Sequence, residues 1–431
     1  MTKLTQKENI ILRQARLIDP QVGIDKTADI KIVSGKIAGI GNFASEKSES
    51  IDFSGKIIIP GLYDMHVHLR EPGFEYKESI ETGCAAAAEG GFTGVACMPN
   101  TNPAIDTAGT IDYIERRSKD LPVTVNPVAA VTQGRKGEFL SEMYDLQRAG
   151  AVGFSDDGSP LVDSELMRRA LEYSSDLDAV IIQHEEDPYL FVGVMHEGLT
   201  ATKLGLSGIT SLCEEVMVMR DLRLTEYTGG RLHIAHVSAA ETVAHIREAK
   251  AKGIKVTAEV TPHHLFLTDE AVIGYNTSTK MNPPLREERD RLALIEGLLD
   301  GTIDAIASDH APHSIEEKEN DFNTAPFGTI GLETAVGLVL TNLVATGKMD
   351  WNMLVQRMAV APRIILRLPE VKLEKGCSAE LTIIDPELEW TVEIAKFKSL
   401  AENSPFGGWK LYGKAVGIYN KGMLVLDGIG H

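Results

Sequence analysis

Eight short apolar runs, most of them separated by segments of helical texture, occupy the middle of the chain. They are Ile57 to Met65, Phe92 to Met98, Val123 to Val131, Ala151 to Phe154, Ala179 to Ile182, Leu232 to Val237, Ile254 to Val260 and Ile303 to Ala307. Helical texture marks Tyr76 to Gly90, which is Ala-rich and stopped by Gly90-Gly91, and also Ser164 to Leu177, Ala239 to Lys252 and Arg289 to Leu299. Eight β-α units over roughly 250 residues predict an α/β fold of the (β/α)8 TIM barrel kind. A doubly wound sheet would carry fewer strands and a Gly-rich first turn, and the chain has neither a G-x-G-x-x-G nor a Walker motif.

The two ends have a different texture. Ile10-Ile11-Leu12, Ala28 to Ile32 and Lys36 to Ile40 read as short strands, as do Ala379 to Ile384, Ala415 to Tyr419 and Met423 to Leu426. They predict a small flanking β-sandwich built from residues 1–60 and 371–431, around a barrel of residues 61–370.

A barrel of this kind carries its active site at the C-terminal ends of its strands. The first run ends in His66 and His68, the second in Asn100, the fourth in Asp156-Asp157, the fifth in His184, the sixth in His236 and the eighth in Asp309. On a regular strand His66 and His68 share a face, with Met65 and Val67 on the opposite one. Neutral imidazoles and carboxylates are the ligand set for zinc or a similar divalent ion, so the coincidence points to a metal hydrolase. Alternation makes His236 the inward residue of its run and His233 a packed or supporting one. It does not choose between Asp156 and Asp157, and His263-His264 have a structural role open to them as readily as a chemical one.

Charge and composition narrow the class. A chain of 431 residues with 43% hydrophobic content can bury a large core, and a formal net charge of −19 argues against nucleic-acid or anionic-membrane surfaces. An anionic substrate would need local cationic groups. The first residues lack a signal-peptide layout, and no apolar run reaches the ~18 residues of a membrane span, so a cytoplasmic location is expected. Cys84, Cys97, Cys213 and Cys377 lie far apart without C-x-x-C spacing and read as reduced, mostly core thiols.

Longer motifs carry a family resemblance. Asp64 to Gly73 (DMHVHLREPG), Met98 to Thr101, Ser155 to Gly158, Glu259 to His264, Lys280 to Leu285, Ser308 to His313 and Ala325 to Gly328 resemble dihydroorotases of the long bacterial type (type I), within the amidohydrolase superfamily. The resemblance covers nearly the whole chain and implies the same barrel with a flanking β-sandwich. It implies that His66, His68 and Asp309 bind one metal ion and that His184 and His236 bind a second. Asp157, rather than Asp156, bridges them where many relatives use a carboxylated lysine. One or two Zn2+ ions per chain are expected.

The activity implied is the reversible cyclisation of N-carbamoyl-L-aspartate to (S)-dihydroorotate in pyrimidine (UMP) synthesis. The cation activates water and polarises the ring carbonyl, and Asp309 acts as general base and then acid. Arg70, Asn100 and His313 are expected to hold the substrate carboxylate and Asn282 to read the ring amides, with His68, Phe327 and Gly328 also at the substrate. The alternative for Arg70 is an ion pair with Glu71. Residues 314–324 read as a solvated loop or a lid over the substrate. Dihydropyrimidinase, hydantoinase or allantoinase would share the metal frame but have no use for a carboxylate clamp. A non-catalytic scaffold for aspartate transcarbamoylase would lack the ligands this chain keeps. A homodimer, and possible association with aspartate transcarbamoylase, are the implied assemblies.

Overall fold

Short buried strands in parallel register form the centre of the molecule, whose computed structural model describes residues 3–426. The barrel strands are β1 (Leu62–Val67), β2 (Phe92–Cys97), β3 (Thr124–Pro127), β4 (Phe154–Ser155), β5 (Ile181–Gln183), β6 (Leu232–Ile234), β7 (Val256–Val260) and β8 (Ala305–Ile306). β1 to β3 pair in order, as do β4 to β8. Parallel bridges Ala129↔Phe154 and Val67↔His310 join the two arcs and close the ring. This is the expected (β/α)8 barrel.

Helices return the chain from strand to strand, among them Ile80–Glu89, Ser164–Asp176, Ala240–Ala251 and Glu288–Asp300. Their starts carry local signals. Ser79 forms a capping box with Thr82, and Asp163 accepts from the backbone N–H groups of Glu165 and Leu166. Two apolar layers result. Met65, Ala96, Val180, Ile182, Ala235 and Ala305, from four strands, the residue before β5 and the residue after β6, share one cluster at the barrel axis. Val67, Val95, Ile181 and Ile234 pack outward with the helices.

Two local departures from the sequence expectation have clear causes. The first apolar run is two strands, not one. Ile57–Pro60 pairs antiparallel with Leu381–Ile384 in the terminal sheet, and the barrel strand begins after Gly61, whose position would bring any Cβ to 2.2 Å from Thr93 Oγ1. Strict alternation also fails along β1. Its pairing with β2 slips register between Asp64 and Val67, so Met65 turns to the axis while Val67 packs outward.

The chain ends are knitted into a nine-stranded sheet among the described residues. Its order runs Lys3–Gln6, Met423–Leu426, Lys410–Asn420, Leu381–Thr391, Ile57–Pro60, Ile10–Asp19, Ile24–Val33, Lys36–Gly41, with Ser50–Asp52 beside Ile10–Asp19. Leu12, Ile30, Leu381 and Leu424, from both ends of the chain, share its core. This is the flanking β domain, built from both chain ends, that the terminal strands predict. Residues 1, 2 and 427–431, at the extremes of the expected terminal domain, lie outside the described residues. All four cysteines are free, and burial pushes Cys84, Cys97 and Cys213 up to about 12. Among the described residues, no helix is long and apolar enough to cross a membrane.

Candidate metal centre

At the C-terminal mouth of the barrel, Asp157 is ringed by four imidazoles. Its Oδ1 lies 3.3 Å from His66 Nε2, 3.7 Å from His236 Nε2 and 3.8 Å from His184 Nδ1, and its Oδ2 lies 3.6 Å from His68 Nε2. Asp309 Oδ1 stands 3.0 Å from His68 Nε2 and 3.6 Å from His66 Nε2. Two triads, His66–Asp157–His236 and His66–His68–Asp309, each gather their donor atoms within 4.8 Å of one another. Asp156 points elsewhere, accepting from Thr132 N at 3.0 Å and from the Thr132 hydroxyl. Because β4 ends at Ser155, strand alternation does not govern the two aspartates.

The cluster is built at a physical cost. All six side chains are buried, and the His66 Nε2 and His236 Nδ1 atoms have no hydrogen-bond partner. Orphaned buried polar atoms are costly, at roughly 1–3 kcal/mol each. Arg70, His236 and Asp309 hold φ of +61°, +32° and +46°, a region non-glycine residues seldom occupy. Burial opposes the charge of Asp157, yet His66, His236 and His68 hold its carboxyl well below the usual range; Asp309 is likewise held low, chiefly by His68. Ionised carboxylates facing bare imidazole nitrogens fit a divalent cation.

The imidazoles are oriented from behind. His66 Nδ1 lies 2.6 Å from Glu259 Oε1, His68 Nδ1 lies 2.8 Å from Asn100 Oδ1, and His184 Nε2 lies 3.4 Å from Glu186 Oε2. Asn100 therefore supports a histidine as well as facing the cavity. His233 is buried and bonded to Glu259 rather than joining the cluster. His264 is engaged by Thr261 Oγ1 and donates to Pro283 O, a structural role.

A cavity of about 340 Å³ opens beside the cluster. His68, Arg70, Asn100, Asn282 and His313 line it, as do Phe327 and Gly328. Arg70 Nε donates to Pro312 O at 3.1 Å, and its Nη2 approaches His313 Nε2 at 3.5 Å. Glu71 is occupied instead by Arg117 and Tyr113, so it does not neutralise Arg70. Burial, with the charges of Arg70 and Lys77, pushes His313 down to about 2 and keeps it neutral. Asn282 Nδ2 donates to Glu186 Oε2 at 2.6 Å. Gly328, at φ +133°, leaves space that a Cβ would close to 3.0 Å against Ala311.

Residues 314–324 are tied to neighbouring segments next to His313, but none of them lines this cavity. Ser314 caps the turn Ile315–Lys318, the Lys318 ammonium donates to Thr277 O and Pro326 O, and Lys280 donates to Asn323 O. Four contributors were not singled out in the sequence: Glu259, Glu186, Lys77 and Arg135. Glu186 follows His184 by two residues and Arg135 reaches the Asp157 carbonyl, but only the folded loops bring Lys77 to His313. For Glu259 the available signal was its place in a barrel run, two residues from Thr257 on the same face.

Comparison with known proteins agrees with this construction. Residues 55–242 match the family model described as Dihydro-orotase-like. The chain is 53% identical to the dihydroorotase of Pelotomaculum thermopropionicum over 94% of this chain and 95% of the relative, and 50% identical to that of Citrifermentans bemidjiense over 97% and 99%. Among solved structures it is similar to an L-hydantoinase (dihydropyrimidinase) from Arthrobacter aurescens, with TM-score 0.86, 28% identity and coverage of 97% and 96%. The dihydropyrimidinase of Brevibacillus agri shares the fold at TM-score 0.84 and 21% identity, with coverage of 97% and 95%. Identity of this extent along almost the whole length shows that the chain belongs to the dihydroorotase family of cyclic-amide hydrolases.

Proposed function

We propose that this chain is a zinc-dependent dihydroorotase that interconverts N-carbamoyl-L-aspartate and (S)-dihydroorotate. His66, His68 and Asp309 would hold one ion, His184 and His236 a second, with Asp157 between them. When bound, zinc supplies Lewis-acid polarisation of a carbonyl and lowers the pKa of water.

The chain's own groups do the rest. Asp309, ionised and at the cavity edge, accepts a proton from the attacking water at its carboxylate and returns it to the leaving amide nitrogen. The reverse order of proton transfers closes the ring. Arg70 offers a guanidinium fork to the substrate carboxylate, and neutral His313 and Asn100 stand beside it. Asn282 and Phe327 bound the ring.

The observation that carries this reading is Arg70, unpaired with Glu71, opening onto the same cavity as Asp309. A neutral hydantoin or dihydrouracil has no use for it. Turnover of dihydroorotate, dihydrouracil, hydantoin and allantoin on one purified sample of known zinc content tests the assignment. Dihydroorotate alone is expected to turn over at enzymatic rates; preference for any of the other three would overturn the substrate assignment.

A further inference from the structure

Beneath the metal cluster, the barrel interior carries a chain of hydrogen bonds that ends on His66. We propose that Glu259, backed by His233 and Thr257, is a positioning residue that fixes the tautomer and aim of His66, an inference that rests on the metal-centre reading above. Glu259 Oε1 lies 2.6 Å from His66 Nδ1, Glu259 Oε2 lies 3.2 Å from His233 Nε2, and His233 Nδ1 lies 2.8 Å from the Thr257 hydroxyl. Glu259 and His233 are wholly buried.

The direction of the chain follows from donors and acceptors. A carboxylate only accepts, so His66 Nδ1 and His233 Nε2 must both carry the protons they share with it. His233 Nδ1 then holds a lone pair, which the Thr257 hydroxyl satisfies; its other acceptor, Leu232 O, is farther away at 3.4 Å. With its proton fixed on Nδ1, His66 presents a bare Nε2 lone pair to the cluster. That atom is the one left buried without a hydrogen-bond partner.

The placement follows from strand register. Thr257 and Glu259 are two apart on β7 and share a face, and His233 on β6 is the register partner of Thr257. Glu259 Oε1 also accepts from the backbone N–H of His236 at 3.4 Å, where the chain turns through positive φ. One carboxylate thus holds a side chain from β1 and the backbone beyond β6.

Partners behind a ligating histidine commonly set metal affinity by 10- to 100-fold. Metal-stripped wild type, E259Q, T257V and T257S are titrated with Zn2+ against a chromophoric chelator, and the thermal midpoints of the metal-free proteins are measured alongside. E259Q is expected to bind zinc about tenfold more weakly and T257V several-fold more weakly, while T257S, which keeps the hydroxyl, binds as wild type does. Metal-free midpoints should stay close to that of wild type. Unchanged affinity in E259Q or T257V, or an equal loss in T257V and T257S, overturns the proposal. If E259Q does not fold, the two Thr257 variants decide. A wild-type chain that binds no zinc contradicts the metal-centre reading itself and not this refinement of it.

Discussion

The terminal sheet and the barrel mouth belong to one chain but obey different rules. In the sheet, Leu12, Leu17, Ile383 and Tyr419 fill an apolar core, and its buried acids are satisfied by backbone: Asp19 accepts from Gln21 and Leu373, Asp29 from Gln14 and Phe43. At the barrel mouth, carboxylates and imidazoles crowd together, buried ring nitrogens of His66, His236 and His263 lack partners, and three residues sit at positive φ. Positive φ occurs in both regions, at Gln14, Ser34 and Lys421 in the sheet as well as at the mouth, so it is the crowded carboxylates and the partnerless buried nitrogens that mark where stability gives way to chemistry.

The largest expected effect breaks the mouth alone. Asp309→Ala should lower kcat by about 10²- to 10⁴-fold, the usual worth of a general acid–base, and leave the metal-free thermal midpoint unchanged or higher, because a buried charge is removed. Steady-state kinetics and calorimetry on one preparation check both halves. A large loss of metal-free stability would mean that the mouth is held together like the sheet.

Ile383→Ala is the mirror experiment. Truncating this fully buried residue should cost about 2–5 kcal/mol in denaturant unfolding, with kcat and KM of the folded fraction unchanged. A changed kcat would show that the two regions are not separable.

Within the mouth, Arg70→Ala should raise KM for dihydroorotate by about 10- to 100-fold and change kcat much less, since it removes a charge-assisted grip on a part of the substrate that does not react. A kcat-only defect would reassign Arg70 to the chemical step.

The smallest effect lies outside both regions. Burial, helped by the Arg286 guanidinium, holds His196 down at about 4, whereas an unfolded histidine titrates near 6.5. Between those values the unfolded chain takes up a proton that the native chain refuses. The stability linked to His196 is therefore intact above pH ~6.5 and is lost as pH falls toward 4. His196→Gln should flatten the dependence of the thermal midpoint on pH across that window; an unchanged slope would show that His196 titrates normally.

Much of this contrast is legible in the sequence because strand alternation and the rule of C-terminal strand ends are strong constraints. The eight apolar runs, the paired terminal strands and the strand-end positions of His66, His68, His184, His236 and Asp309 are legible from them, but alternation itself fails at Met65 and at His236, which lies beyond β6 while Ala235 packs at the axis. What escapes is set by irregular backbone. The slip in β1 sends Met65 and Val67 to different layers, the break at Gly61 divides the first run between two sheets, and the early end of β4 frees Asp156 and Asp157 from alternation. Glu259 escapes for another reason: its partners, His66 and His233, come from other strands and meet it only in the folded barrel.

The most direct test of the account is anomalous X-ray diffraction at the zinc absorption edge on crystals of the zinc-loaded protein. The account predicts a peak within about 2.0–2.2 Å of His66 Nε2, His68 Nε2 and an Asp309 carboxylate oxygen. Zinc bound elsewhere, or no peak among these three side chains in a sample that turns over dihydroorotate, would contradict it.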